Sequence, residues 1–183
     1  MDKPLRKDAA RRRSAILDAA RAVFAEEGID APLDLIAERA GVGRATLYRN
    51  FPGRTEIALA VLMDDVADLD ARFDGVDHDD AFIDFLTALS ERLVRNTALG
   101  GVVRAAPSND LLTPLRAALR KAGASAMKAS QAAGAIRPDL TPADMRVLSA
   151  MLGAGLHQAA PRERNAIARR TLELVIDAVR TRP

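Results

Sequence analysis

The chain has no cysteine, no tryptophan, one tyrosine and two histidines among its 183 residues. Without cysteine there is no thiol nucleophile, no disulfide and no thiolate metal site, and two histidines leave little for a histidine-rich metal centre. No run of eighteen apolar residues occurs and the first residues are charged, so neither a membrane span nor a secretory signal is expected, and the chain reads as cytoplasmic. Aromatic residues make up 3% of the chain and no two-residue alternation persists, which removes most strand signals. The sequence holds no EF-hand spacing, no glycine-rich phosphate cradle after a strand and no Ser-His-Asp arrangement. No catalytic residue, metal ligand or cofactor is therefore expected.

Charge is present but unevenly placed. The formal net charge is +2, yet Lys3, Arg6, Lys7, Arg11, Arg12 and Arg13 crowd the first thirteen positions against only Asp2 and Asp8. Between positions 64 and 84 stand Asp64, Asp65, Asp68, Asp70, Asp74, Asp77, Asp79, Asp80 and Asp84, which repel a polyanion. A nucleic acid would meet the N-terminal end alone.

Alanine, leucine and arginine recur at helical spacing, which predicts an all-α fold. A first helix from about Lys7 to Glu27 aligns Ile16, Leu17, Ala20, Val23 and Phe24, and Gly28 closes it as a C-terminal cap. Then comes LIAERAGVGRATLYRNF, Leu35 to Phe51, which reads as two short helices joined by a glycine turn: about Leu33 to Ala40, with Pro32 at its start, and Arg44 to Asn50. Ala37 supplies a small residue where helices approach, Gly41 the positive φ of the turn, and Leu47 the core contact of the second helix. Arg44, Thr46, Tyr48, Arg49 and Asn50 remain as a polar set on that helix, the kind of side chains that reach base edges and phosphates from a major groove. Arg54 opens the next helix, about Arg54 to Phe73, where free N–H groups favour an anion, and a phosphate contact is expected there. That long helix is apolar on more than one side and is expected to pack against both a head (residues 1–53) and a body (54–183). Further helices are expected from an Asp79 cap to about Leu99, ended by Gly100 and Gly101; then, past an irregular Val102–Asn109 segment, over about Leu111–Ala133, Pro142–Ala159 and Arg162–Thr181. Thr141, Pro142 and Asp144 form a capping-box-like start. The whole is a three-helix head joined by a long helix to a helical bundle, about nine helices in all.

The segments Ile16 to Gly28, AERAGVGRATLYRNF (Ala37 to Phe51) and PGRTEIALAV (Pro52 to Val61) resemble the tetracycline-repressor (TetR) family of bacterial regulators over about residues 11 to 62. A weaker likeness links Gly134 to Leu152 with a common C-terminal subtype of that family. The resemblance implies a homodimer whose two heads read a palindrome in double-stranded DNA, and a body that binds a small-molecule effector and lowers DNA affinity. It implies also that the Tyr48 hydroxyl meets a phosphate and that Thr46 contacts DNA; otherwise Tyr48 lies half-buried beside Phe24 and Thr46 only packs. Two departures stand out. Pro32 and Leu33 replace a threonine-containing cap, and Arg49 and Asn50 replace a frequent aromatic-histidine pair, so the base preference of other members does not transfer. The basic run ending in Arg11, Arg12 and Arg13 serves either as a minor-groove or backbone arm or as a solubilising tail.

In the body, Phe82, Phe85, Leu89, Leu93, Val103, Met127 and Met151 fall on inward faces of different helices and line an effector pocket or an ordinary core. His157 and Gln158 offer hydrogen bonds to an effector, or face solvent or the dimer seam. Gly153, Ala154 and Gly155 allow close helix approach, and Ile167, Leu172, Val175, Ile176 and Val179 give more apolar stripe than one bundle must bury. A two-fold interface through the last two helices is the expectation. Two other functions are conceivable: a metal-dependent hydrolase built on Asp64, Asp68 and the Asp77–Asp80 cluster, and a DNA-binding protein without sequence choice.

Overall fold

The computed structural model describes residues 3–105 and 109–181, with side chains described over 8–102 and 110–181. Nine α-helices are formed among the described residues: α1 (Lys3–Glu27), α2 (Leu33–Arg39), α3 (Arg44–Asn50), α4 (Arg54–Phe73), α5 (Ala81–Arg95), α6 (Thr97–Ala105), α7 (Thr113–Ala132), α8 (Met145–Leu152) and α9 (Pro161–Val179). Short 3₁₀ turns precede α7 and α8. The bounds of α3 and α4 coincide with those expected from sequence, whereas α1 starts earlier, at Lys3.

Apolar periodicity sorts the helices into two cores. The head's core gathers Ile16, Ala20 and Phe24 of α1, Ile36 and Ala37 of α2, Leu47 of α3, and Ile57, Ala58 and Val61 from the first half of α4. The body's core takes Val66, Leu69 and Phe73 from the second half of α4, with Phe82, Phe85 and Leu89 of α5, Met127 of α7, Leu148 and Leu152 of α8, and Val175 and Val179 of α9. Helix α4 therefore belongs to both, as its two-sided apolar pattern implied.

Three expectations fail in the second half. Gly100 and Gly101 do not break the fifth helix; they lie inside α6, and the break falls at Asn96. The Thr97 hydroxyl donates to the Val94 carbonyl at 2.7 Å, satisfying one of the end carbonyls of α5. Burial of Leu99 in the head's core offsets the helix-propensity deficit of the two glycines, about 1 kcal/mol each. The helix expected over Pro142–Ala159 stops at Leu152, because Gly153 ends it and Gly155 turns the chain with φ +77°. Gly153, Ala154 and Gly155 accordingly form a turn, in which Gly155 lies against Ile167 of α9, and not part of a helix. Thr141 does open this segment as expected: the Asp144 carboxylate accepts its backbone N–H at 2.7 Å and its hydroxyl at 2.9 Å.

The far end of the body is clasped by the chain's last residues. Arg137 N–H donates to the Val179 carbonyl at 2.9 Å, and Arg180 pairs with Asp80 at 3.1 Å, fixing the end of α9 against the start of α5. Among the described residues no helix is long and apolar enough to cross a membrane.

Candidate nucleic-acid interface

The turn between α2 and α3 is built by Gly41, at φ +65°, whose N–H donates to the Glu38 carbonyl at 3.1 Å while Val42 N–H reaches Ala37 at 3.0 Å. These bonds absorb end carbonyls of α2 and redirect the chain within two residues. Gly43 then caps α3 without a side-chain bond, and Leu47 is fully buried against the head's core. With Leu47 pointing inward, Arg44, Tyr48, Arg49 and Asn50 are exposed and Thr46 is half-buried. Tyr48 is 47% exposed, so it stands out from the core that holds Phe24.

Neighbours pre-order several of these side chains. Asn50 Nδ2 donates to the Thr46 carbonyl at 2.8 Å and Arg49 Nη2 to the Thr46 hydroxyl at 3.2 Å. Arg44 pairs with Asp34 at 3.0 Å. Behind them, Arg39 binds Glu26 at 2.8 Å, tying α2 to α1 and holding the Glu26 carboxyl below its ordinary value through that hydrogen bond.

Beside the turn lies an open depression of about 440 Å³, lined among others by Arg11, Arg12, Gly41, Val42, Gly43 and Thr46. Its two guanidinium-bearing residues come from α1 and its floor from the turn. The basic residues at positions 11 to 13 are thus carried on a helix, not on an extended arm. Arg13 is held apart from the other two, stacked over the Phe51 ring at 5.0 Å.

Arg54 makes an inward contact besides the phosphate contact expected of it. Its Nη1 turns inward and donates to the carbonyls of Ile29 and, at 2.8 Å, Ala31. That side chain pins the α1–α2 connection, where Pro32 begins α2 without any side-chain cap. An Arg54→Ala chain is expected to lose about 1.5–3 kcal/mol, the range for hydrogen bonds to a charged donor; urea denaturation checks this, and a loss under about 0.5 kcal/mol would show the contact to be idle.

A polar junction that the sequence reading missed joins head to body. Arg21 of α1 donates to Asp64 at 2.6 Å and to Asp65 at 3.1 Å, both on α4, and Asn96 at the α5–α6 break donates to the same Asp65. Burial alone would lower the Arg21 pKa, but the hydrogen bond to Asp64 and the charges of both carboxylates raise it above its ordinary value. The junction's trace in the sequence is Asn96-Thr97 ahead of the glycine pair, the point at which α5 ends.

The expected pocket residues divide. Phe82, Phe85, Leu89 and Met127 do meet in the body's core. Phe82 and Phe85 stack with centroids 6.1 Å apart and have no solvent-accessible surface, so in this conformation they border no space large enough for a water. Met151 is 40% exposed on the outer side of α8, and His157 lies exposed in the turn after it. The Val103 side chain falls outside the described residues. The aspartates that invited a hydrolase are shared among cations: Asp64 and Asp65 with Arg21, Asp70 with Lys121 at 2.5 Å, Asp80 with Arg180. No group of three or more potential ligands capable of holding a metal occurs among the described residues.

An all-α chain whose glycine turn presents a short polar helix beside an arginine-lined depression belongs to the helix-turn-helix class of DNA-binding regulators. Comparison with known proteins narrows the class. Residues 16–61 match the family model for bacterial regulatory proteins of the tetR family, and residues 77–181 match that of the transcriptional regulator SbtR-like C-terminal domain. The crystal structure of a TetR transcriptional regulator from Streptomyces coelicolor superposes with a TM-score of 0.69 at 33% identity, covering 93% of this chain and 99% of that one. A TetR transcription regulatory protein from Mycobacterium vanbaalenii gives 0.69 at 26% identity, covering 97% and 100%. The HTH-type transcriptional regulators TtgW and SrpR of Pseudomonas putida are each 49% identical over 51 residues, which is 27% of this chain and only 38% and 24% of theirs. The chain belongs to the TetR family, with an SbtR-like body.

Proposed function

We propose that the protein is a cytoplasmic transcriptional repressor that binds a palindromic operator in double-stranded DNA as a homodimer and is released by a small-molecule effector. The observation that carries the reading is that α3 exposes Arg44, Tyr48, Arg49 and Asn50, while its Thr46 lines a depression with Arg11 and Arg12. Arg44 and Arg49 address guanine O6 and N7, and Asn50 addresses adenine once it leaves the Thr46 carbonyl. Tyr48, Thr46, Arg11 and Arg12 hold the backbone. For Arg54, the N–H groups beyond Nη1 contact phosphate, and its larger task is to position the head.

The dimer surface is assigned to the last two helices. Val147 and Met151 of α8 and Leu174 of α9 are large apolar side chains, 51%, 40% and 51% exposed, and Leu174 shares its outer stripe with Ile167 and Ala178. A pair of helices that leaves such a patch open suits a two-fold, self-complementary contact. Release follows as a population shift between two head spacings, to which the effector binds unequally. Helix α4 carries the displacement, joined by α6, whose Leu99 sits in the head's core.

The test is selection of bound DNA from a random pool by the purified protein, followed by titration of the winner at two salt concentrations. A palindrome with half-sites about one helical turn apart, roughly 34–36 Å, or a multiple of it is the expected winner. Contact with about four to six phosphates per head predicts a steep fall of affinity with salt, roughly −0.9 in log–log slope per phosphate. Tyr48→Phe is expected to weaken operator and random DNA alike, while Arg44→Ala or Arg49→Ala relaxes preference at one position. A pool with no enriched sequence, or equal losses on operator and random DNA for every variant, sinks the reading.

A further inference from the structure

Among the described residues, a single carboxylate pairs with a side chain of the recognition helix. Asp34, in the first turn of α2, meets through Oδ2 the Nη2 of Arg44, the first residue of α3, at 3.0 Å. Arg49 and Asn50 are held from within α3 itself, by the Thr46 hydroxyl at 3.2 Å and the Thr46 carbonyl at 2.8 Å. Of the exposed polar residues of α3, Arg44 is thus the one fixed by a charge on another helix. That helix is itself anchored, with Ile36 and Ala37 buried and Arg39 tied to Glu26 of α1.

The Arg44 and Asp34 side chains are 74% and 41% exposed, and an ion pair so open to solvent adds little to the stability of the fold. Its consequence falls on the DNA contact. Arg44 opens α3, the end from which a helix-turn-helix reaches base edges. A guanidinium carries five N–H donors; whichever Nη2 hydrogen Asp34 accepts, a parallel pair remains for O6 and N7 of a guanine. An unrestrained arginine also settles on any nearby phosphate, without regard to sequence. With a carboxylate beside it the charge of Arg44 is offset, so attraction to phosphate falls and the directed bonds to a base edge decide where it binds. The carboxylate itself repels the backbone of every sequence alike. Asp34 therefore lowers affinity for all DNA and widens the difference between sequences, and specificity is that difference.

From this we infer that Asp34 is a positioning residue that sets sequence choice: it holds the Arg44 fork for one guanine in each half-site, and acts through Arg44 without reading a base. The inference rests on the proposed operator binding and adds to it the residue that makes that binding selective.

Selection from a random duplex pool is run with the full-length wild type, Asp34→Asn, Asp34→Glu, Arg44→Ala and the double variant Asp34→Asn, Arg44→Ala. Each protein is then titrated, at one salt concentration, on the wild-type winner, on that winner with single bases replaced, and on random duplex. The guanine in question is the one whose preference Arg44→Ala relaxes. Asp34→Asn is expected to reduce that preference about tenfold, within the range of one bidentate arginine–guanine pair. It should also bind random duplex about twofold more tightly, for want of one repelling charge. Asp34→Glu should keep part of the preference. In the Arg44→Ala background, Asp34→Asn should leave base preference unchanged and still tighten binding to random duplex. A merely structural role for Asp34 would instead weaken operator and random duplex together. The inference is overturned by that result, by an Asp34→Asn protein that keeps the guanine preference, or by an Arg44→Ala protein that relaxes no position. It falls too if Asp34→Asn still alters a base preference in the Arg44→Ala background, since Asp34 would then read a cytosine itself. Failure of Asp34→Asn to fold counts against it as well, because the head should not need an exposed ion pair. A wild type that selects no sequence removes operator binding altogether; one that selects a palindrome whose choice Asp34→Asn leaves intact removes this inference alone.

Discussion

A Leu99→Ala chain is expected to be destabilised by about 2–5 kcal/mol, the range for emptying a buried leucine site. In a chain of this size that lowers the melting temperature by roughly 5–15 °C. The size follows from position: Leu99 is 1% exposed and packs in the head's core, although it stands on α6, after the junction at Asn96. Val102, one turn on, packs against the same cluster. Removing the isobutyl group therefore loosens the head from a helix that belongs, by chain order, to the body. Operator binding should weaken at temperatures where the variant is still folded, because the recognition helix then samples more orientations. Melting curves and operator titration of one preparation check both parts; a loss below about 1 kcal/mol would mean that the site collapses or that α6 is not held there.

The second large effect is expected at the outer face of α8 and α9. Placing arginine at both Val147 and Leu174 puts like charges into a surface that a two-fold contact brings against itself. Light scattering after size exclusion should report a dimer for the wild type and a monomer for the double variant at micromolar concentration. Since the two side chains are about half exposed in one subunit, fold stability should change little. Operator affinity should fall by about 10² to 10⁴, because the second head no longer gains from the local concentration set by the first. A wild-type monomer, or a variant monomer that binds the operator undiminished, would remove the proposed interface.

How far these features were readable in the chain depends on the range of the forces involved. The bounds of α3 and α4 follow from local chemistry: the positive φ at Gly41, the cap at Gly43, and the Pro52-Gly53 interruption. Arg44, Tyr48, Arg49 and Asn50 were readable as a polar surface because Leu47 alone orients so short a helix. The errors arose where tertiary contact outweighed local preference. Gly100 and Gly101 stay helical because α6 is held by Leu99; Met151, apolar and regularly spaced, faces outward because α8 has a second apolar side. Arg54 shows the same limit in a polar group, since its partners at Ile29 and Ala31 lie 25 and 23 positions away. Nothing in the local sequence marks those carbonyls as acceptors.

Helix α4 and the plug from α6 bear also on whether the head can be transplanted. A hybrid repressor cut at residues 53 and 54 would leave behind Ile57, Ala58, Val61 and Leu99, four members of the very cluster that Leu47 anchors. To keep its recognition helix in place, a transferred head must bring the first half of α4 and find, in the new host, a side chain that fills the place of Leu99. If α3 reads the operator as proposed, rewriting its outer face exchanges specificity between such proteins, whereas exchange of the segment that carries it is constrained by the body it leaves.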